Sequence, residues 1–203
     1  MRTFLTSLTL GLLVACPGAG DNPDDSTPAC DTWIQDTGLQ IGVIDPVCRC
    51  GDAGLEIGTG DLRYEVMEDG AVVHQTHGPQ GGWHLLTAAR LEHTRDVVEI
   101  LTWMTDAETG KRGTDDLIYR VRLVPGEQCE GTYPNMYLYL DASELAEGEA
   151  DTPPEVMACR YFDIHMCMTD SGGRDLCTEK RVFLKPDPSD VESGLAEPCD
   201  GPP

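Results

Sequence analysis

A chain of 203 residues with 36 acidic against 14 basic side chains carries a formal charge of −22. That acidity excludes nucleic acid and anionic lipid headgroups as partners, and its plain consequence is solubility. Hydrophobic residues make up 40% of the chain, enough to build one domain with a real core.

Arg2 is the only charge before Asp21, and a largely apolar run from Phe4 leads into Leu13, Val14, Ala15 and Cys16. A positive start, a short apolar stretch and a small residue before the cut mark residues 1–15 as an export signal. The run is too short to span a bilayer, which takes about 20 apolar residues. The tetrad Leu13-Val14-Ala15-Cys16 resembles the lipobox of bacterial lipoproteins. The resemblance implies that Cys16 is thioether-linked to diacylglycerol, that the signal is cut just before it, and that the new amine is acylated. One acyl chain alone holds weakly, whereas three make attachment lasting. In that family an aspartate directly after the cysteine retains the protein at the inner membrane. Pro17 stands there instead, so the expected place is the outer membrane, on its periplasmic or outer side. An ordinary cleaved signal and an uncleaved anchor are the competing readings of the same residues.

Residues 16–31 are small, acidic and rich in Pro and Gly, and read as a flexible tether. A β domain is expected over 32–186. Strand candidates lie near 53–58, 63–67 and 71–77, with Glu68-Asp69-Gly70 turning between the last two. Trp83, Leu85, Thr87, Ala89 and Leu91 then alternate with His84, Leu86, Ala88, Arg90 and Glu92. Apolar residues on both sets over 97–104 predict a central strand, and Asp106 to Gly110 predicts a turn after it. Leu117, Tyr119, Val121 and Leu123 form one face with Arg120 and Arg122 opposite. Met136, Leu138 and Leu140 alternate with Tyr137 and Tyr139. Period-two patterns of this kind mark half-buried strands. Only 141–150 reads as helical, a one- or two-turn crossover with Asp141 as cap and Glu144 in the capping-box relation.

Phe162, Ile164, Met166 and Met168 alternate with Tyr161, Asp163, His165 and Cys167, and a second strand comes after a turn at Asp170–Arg174. Many short strands with frequent turns predict an all-β fold, an antiparallel sandwich. The stretch from Ala158 to Pro186 resembles the last two strands of immunoglobulin-like and fibronectin-III-like modules. Beyond Pro186 the composition matches the tether again, and 187–203 is expected to be a flexible tail. The segment from Gly78 to His84, with the tether and lipobox, is similar to lipoproteins of large-genome Gram-negative bacteria, a likeness that carries no activity.

Besides Cys16 the chain holds Cys30, Cys48, Cys50, Cys129, Cys159, Cys167, Cys177 and Cys199. An even number in an exported chain predicts disulfides, with connectivity mostly open. Cys167 and Cys177 sit symmetrically about Gly172, so a hairpin closing there sets them opposite and within bonding reach. Cys30 and Cys199 would tie the two tails to the body.

His74, His77 and His84 flank the Gly78–Gly82 turn, and imidazoles at one place suit zinc or copper. In an extended strand, however, His74 and His77 face opposite ways. Tyr133, Tyr137, Tyr139, Tyr161, Trp83 and Trp103 could line a carbohydrate surface or serve as core. Acidic pairs such as Asp24/Asp25 and Asp115/Asp116 arise by chance among so many acids. No nucleophile elbow, zinc helix or phosphate loop occurs, and no cofactor is expected. The sequence therefore reads as a non-catalytic binding module at the cell envelope, with a protein or glycan partner and with Trp83 and His84 at the ligand-facing edge. The alternative is an exported hydrolase or metal-dependent enzyme using histidines or carboxylates near the same turn.

Overall fold

A computed structural model describes residues 51–79, 81–127, 129–146 and 152–201. The signal, Cys16, the tether, Cys30, Cys48 and Cys50 lie outside them. Among these residues eleven strands form two sheets. The first runs β2 (Glu65–Val66), β1 (Gly54–Thr59), β5 (Trp83–Glu92), β9 (Glu130–Tyr139) and β8 (Val124–Pro125), with β4 (Thr76–His77) added to β5. The second runs β3 (Ala71–His74), β11 (Asp175–Lys185), β10 (Arg160–Asp170), β6 (Val97–Asp106) and β7 (Leu117–Arg122). Pairing is antiparallel throughout except between β3 and β11. The order β1-β5-β9-β8 over β6-β10-β11 is the A-B-E-D over C-F-G arrangement of an immunoglobulin-like sandwich.

The inward sets of the alternating strands meet in one core. Leu85, Ala89, Leu91, Met136 and Leu138 come from the first sheet, and Ile100, Met104, Phe162, Ile164 and Met166 from the second. The stretch 71–77 divides between the sheets: β3 runs beside β11, then buried Gln75 intervenes and β4 joins β5. Opposite Ala88, strand β9 holds two residues, Pro134 and Asn135, between the paired positions Tyr133 and Met136. Proline has no N–H for the ladder, so it is accommodated in this bulge. Asn135 takes φ 60° there and donates its N–H to Gly60.

The predicted turns close on buried aspartates. Asp106 accepts the N–H groups of Glu108 and Thr109 and pairs with Arg160 at 2.9 Å. Asp170 accepts those of Gly172, Arg174 and Arg95. The hairpin between β10 and β11 places Cys167 opposite Cys177, and the two are bonded. Cys159 is joined to Cys199, and Cys129 is also in a disulfide.

Two expectations change. Over 141–146 one turn of the expected crossover forms, with Ser143 N–H on Asp141 and Ala146 N–H on Ala142, while 147–150 lie outside the described residues; its expected capping box does not form. Glu144 does not cap it, because its carboxylate accepts the N–H of Arg112 at 3.0 Å. The capping box lies instead at α1 (Pro153–Met157), between Thr152 and Glu155. The flexible tail expected over 187–203 is replaced, as far as Gly201, by α2 (Pro188–Ser193) and a bonded extension. Asp187 caps that helix, Gly194 ends it at φ 78°, and Cys199 ties the extension beyond it to Cys159. Composition misled there because one buried aspartate and one disulfide hold a segment with few apolar side chains.

Candidate functional site

The Gly78–Gly82 segment is the turn of a short hairpin between β4 and β5. Gly78 and Gly82 close it by an N–H to carbonyl bond of 2.8 Å, and Gly81 and Gly82 take φ 76° and 108°. Such angles favour glycine, which accounts for the Gly pair. The hairpin sets His77 across from Trp83, and their rings stack at 4.6 Å.

Helix α2 covers this pair. Buried Asp190 accepts the indole N–H of Trp83 at 2.6 Å and faces the Nδ1 of His77 at 2.8 Å. Asp187 accepts the backbone N–H of His77 at 2.8 Å. Burial acts to raise the Asp187 pKa, but the N–H donors of His77 and Ser189 outweigh it and hold the carboxyl below its ordinary value. Trp83 thus packs against the core with its one polar atom already taken. The ligand-facing role expected for it from sequence does not match this placement. Asp187 and Asp190, which make the arrangement, were overlooked in the acidic composition of the tail. An Asp-Pro step before a short polar run is nevertheless a helix-start signal.

His84 is the next residue but points the other way, onto the outer face of the first sheet. It lies in register with Tyr139 and Thr76. Its ring is tilted against Tyr137 at 4.8 Å and stands edge-on to Tyr139 at 6.3 Å. The Tyr137 and Tyr139 rings are within 14° of parallel with centroids 6.2 Å apart. Burial lowers the His84 pKa from its ordinary value, and the nearby Asp187 charge only partly opposes this. The imidazole is therefore neutral near pH 7.

The other histidines disperse. His74 contacts the carbonyl of Pro186 at 3.1 Å, and His93, at φ 52°, donates its N–H to Cys129. His165 stacks on Trp103 at 5.1 Å on the outer face of the second sheet, where the Arg112 guanidinium also covers Trp103. Among the described residues no group of three His, Cys, Asp or Glu could hold a metal ion. Asp115 and Asp116 line an open cleft with Asp141 and Glu144, and Asp116 is paired with Arg112. Tyr133 packs on the core, and Tyr161 meets Phe183 edge-on at 5.2 Å. Of the six aromatics considered from sequence, Tyr137 and Tyr139 form the exposed cluster. No helix among the described residues is long and apolar enough to cross a membrane.

No family model and no curated protein matches the chain. Among solved structures it is similar to the CooA pilin subunit of enterotoxigenic Escherichia coli, at 10% identity and a TM-score of 0.33, over 66% of this chain and 99% of that one. It is also similar to the periplasmic chaperone SfaE, at 12% identity and a TM-score of 0.31, over 66% of this chain and 57% of the chaperone.

Proposed function

We propose that the protein is a non-catalytic binding module, lipid-anchored through Cys16 at the outer membrane, that engages a protein or glycan of the cell envelope. One observation carries the non-catalytic part. The groups best suited to acid–base work hold the fold together. Asp106 and Asp170 satisfy the N–H groups of tight turns, and Asp190 fastens α2 to Trp83 and His77. A general base must reach the proton it removes, and these carboxylates already face partners of their own. Exposed aromatic rings lie on the outer face of the first sheet, where Tyr137 and Tyr139 cluster. The anchor is supported by the Leu13-Val14-Ala15-Cys16 tetrad and Pro17.

Two measurements test the reading. Metabolic acyl labelling should mark the wild-type chain in the outer-membrane fraction, and Cys16→Ser should abolish the label and leave uncleaved precursor. A soluble, unlabelled wild-type protein would remove the anchor. The purified protein should show no turnover of ester, peptide or glycoside substrates. Turnover lost on changing His74, His77 or His84 would establish the hydrolase instead.

A further inference from the structure

The strands of the two sheets differ in charge. Those of the second sheet carry acidic and basic residues in equal number. Those of the first carry one basic residue, Arg90, against Glu56, Glu65, Glu92 and Glu130. Arg90 is itself held by Glu56 at 2.5 Å and Glu130 at 3.9 Å. Alternation along β5 and β9 puts His84, Arg90, Glu92, Glu130, Tyr137 and Tyr139 on one outward face, because the bulge at Pro134 and Asn135 restores the phase of β9.

At one end of this face lie the two tyrosines. Tyr139 is 59% exposed, and its ring is nearly parallel to that of Tyr137. Elsewhere in the described residues Arg90 lies over Tyr64 and Arg112 over Trp103, but no cation lies over Tyr137 or Tyr139. His84 stays neutral beside them and the Asp187 charge is near, which favours a positive group there. The His84–Tyr139 pair and the Glu92–Glu130 pair lie roughly 25 Å apart along the same two strands, with buried Ala88 between them.

We propose that this face binds an extended lysine- or arginine-bearing segment of a protein partner, one cationic side chain lying over Tyr137 and Tyr139 and others meeting the glutamates. The inference rests on the binding-module reading and names its partner chemistry. Ring faces attract cations, and a −22 protein draws them toward it. The tyrosines stand at one end of the face and Glu56, Glu92 and Glu130 at the other, a separation that suits an extended chain rather than one small amine.

The test is titration of the purified protein with a lysine-rich decapeptide, with a glutamate-rich decapeptide and a neutral oligosaccharide run alongside. The lysine peptide alone should bind, more weakly as salt rises. Tyr139→Ala should weaken it by roughly 3- to 30-fold, the range a lost cation–π contact gives, with an unchanged melting temperature. Tyr139→Phe should bind as wild type, because the ring remains. Glu92→Gln should weaken binding more than Glu179→Gln, which removes an equal charge from the other sheet. Equal affinity for wild type and Tyr139→Ala, or equal losses from Glu92→Gln and Glu179→Gln, would overturn the proposal. Oligosaccharide binding that shifts the Tyr139 resonances, with no lysine-peptide binding, would overturn the cationic assignment and leave the module reading standing. Hydrolytic turnover is the separate result that ends the module reading itself.

Discussion

Trp83 and His84 are neighbours in sequence with opposite fates, because strand alternation sends them to opposite faces. Trp83 faces the core and donates to Asp190, so Trp83→Ala should cost about 3–5 kcal/mol in chemical denaturation. Asp190→Ala leaves the indole N–H without its acceptor and should cost roughly 1–3 kcal/mol. Near-wild-type stability for both variants would free Trp83 for a ligand after all. His84 carries a pH signature. Burial depresses its folded pKa, so the folded state stays neutral while the unfolded chain takes up a proton below about 6.5. Its contribution is complete above the unfolded pKa and is lost as pH falls through the folded one. Urea midpoints measured between about pH 8 and about pH 5 should drop less for His84→Gln than for wild type.

Among the elements, β7 is an edge strand of the second sheet, paired on one side with β6. Leu123 N–H bonds to Asp96, so the ladder alternation turns the N–H and C=O groups of Ile118, Arg120 and Arg122 outward from the sheet. An open row of this kind invites pairing with another chain, and charged side chains on it are a protection. Arg120 is 82% exposed and paired with Glu99 at 2.7 Å, and Arg122 faces Asp96 at 3.4 Å. The double change Arg120→Val and Arg122→Val should leave the monomer folded yet raise its apparent mass in sedimentation as concentration rises. A strictly monomeric variant would show that edge charge plays no guarding role. Helix α2 is the opposite case, an element of six residues with little apolar surface. It is too short to be stable alone, so its order comes from the Asp187 cap, the Asp190 contacts and Gly194.

At the scale of the whole molecule, two disulfides of the described residues differ in span. Cys167–Cys177 joins neighbouring strands at a sequence separation of 10, whereas Cys159–Cys199 closes a separation of 40. Loop entropy makes the longer one the stronger constraint on the unfolded chain. Replacing Cys159 and Cys199 by serine should cost about 2–4 kcal/mol and expose the segment after Pro186 to limited proteolysis, read by mass spectrometry. An uncut tail in that variant would assign its order to the Asp190 contacts alone. Asp190 and the disulfide hold the same segment, so their effects should not add independently.

The architecture was legible because burial imposes period two on a strand. Leu85, Ala89, Met136, Leu138, Phe162, Ile164 and Met166 declare their inward faces by alternation and lie in the core. The Cys167–Cys177 pair was legible for the same local reason, since a hairpin centred on Gly172 leaves one register. What the sequence could not assign depends on partners distant in the chain. Asp190 looks like any other acid of an acidic tail until Trp83 and His77, more than a hundred residues away, meet it. The Tyr137–Tyr139–His84 cluster needs β5 and β9 side by side, and its acidic surroundings need the pairing of β1 with β5. Composition reports the total charge of −22, but only the sheet order decides that the unbalanced share of the strands' carboxylates falls on the sheet whose outer face carries the tyrosines. Long-range pairing is set by packing of the whole chain, and no local pattern encodes it.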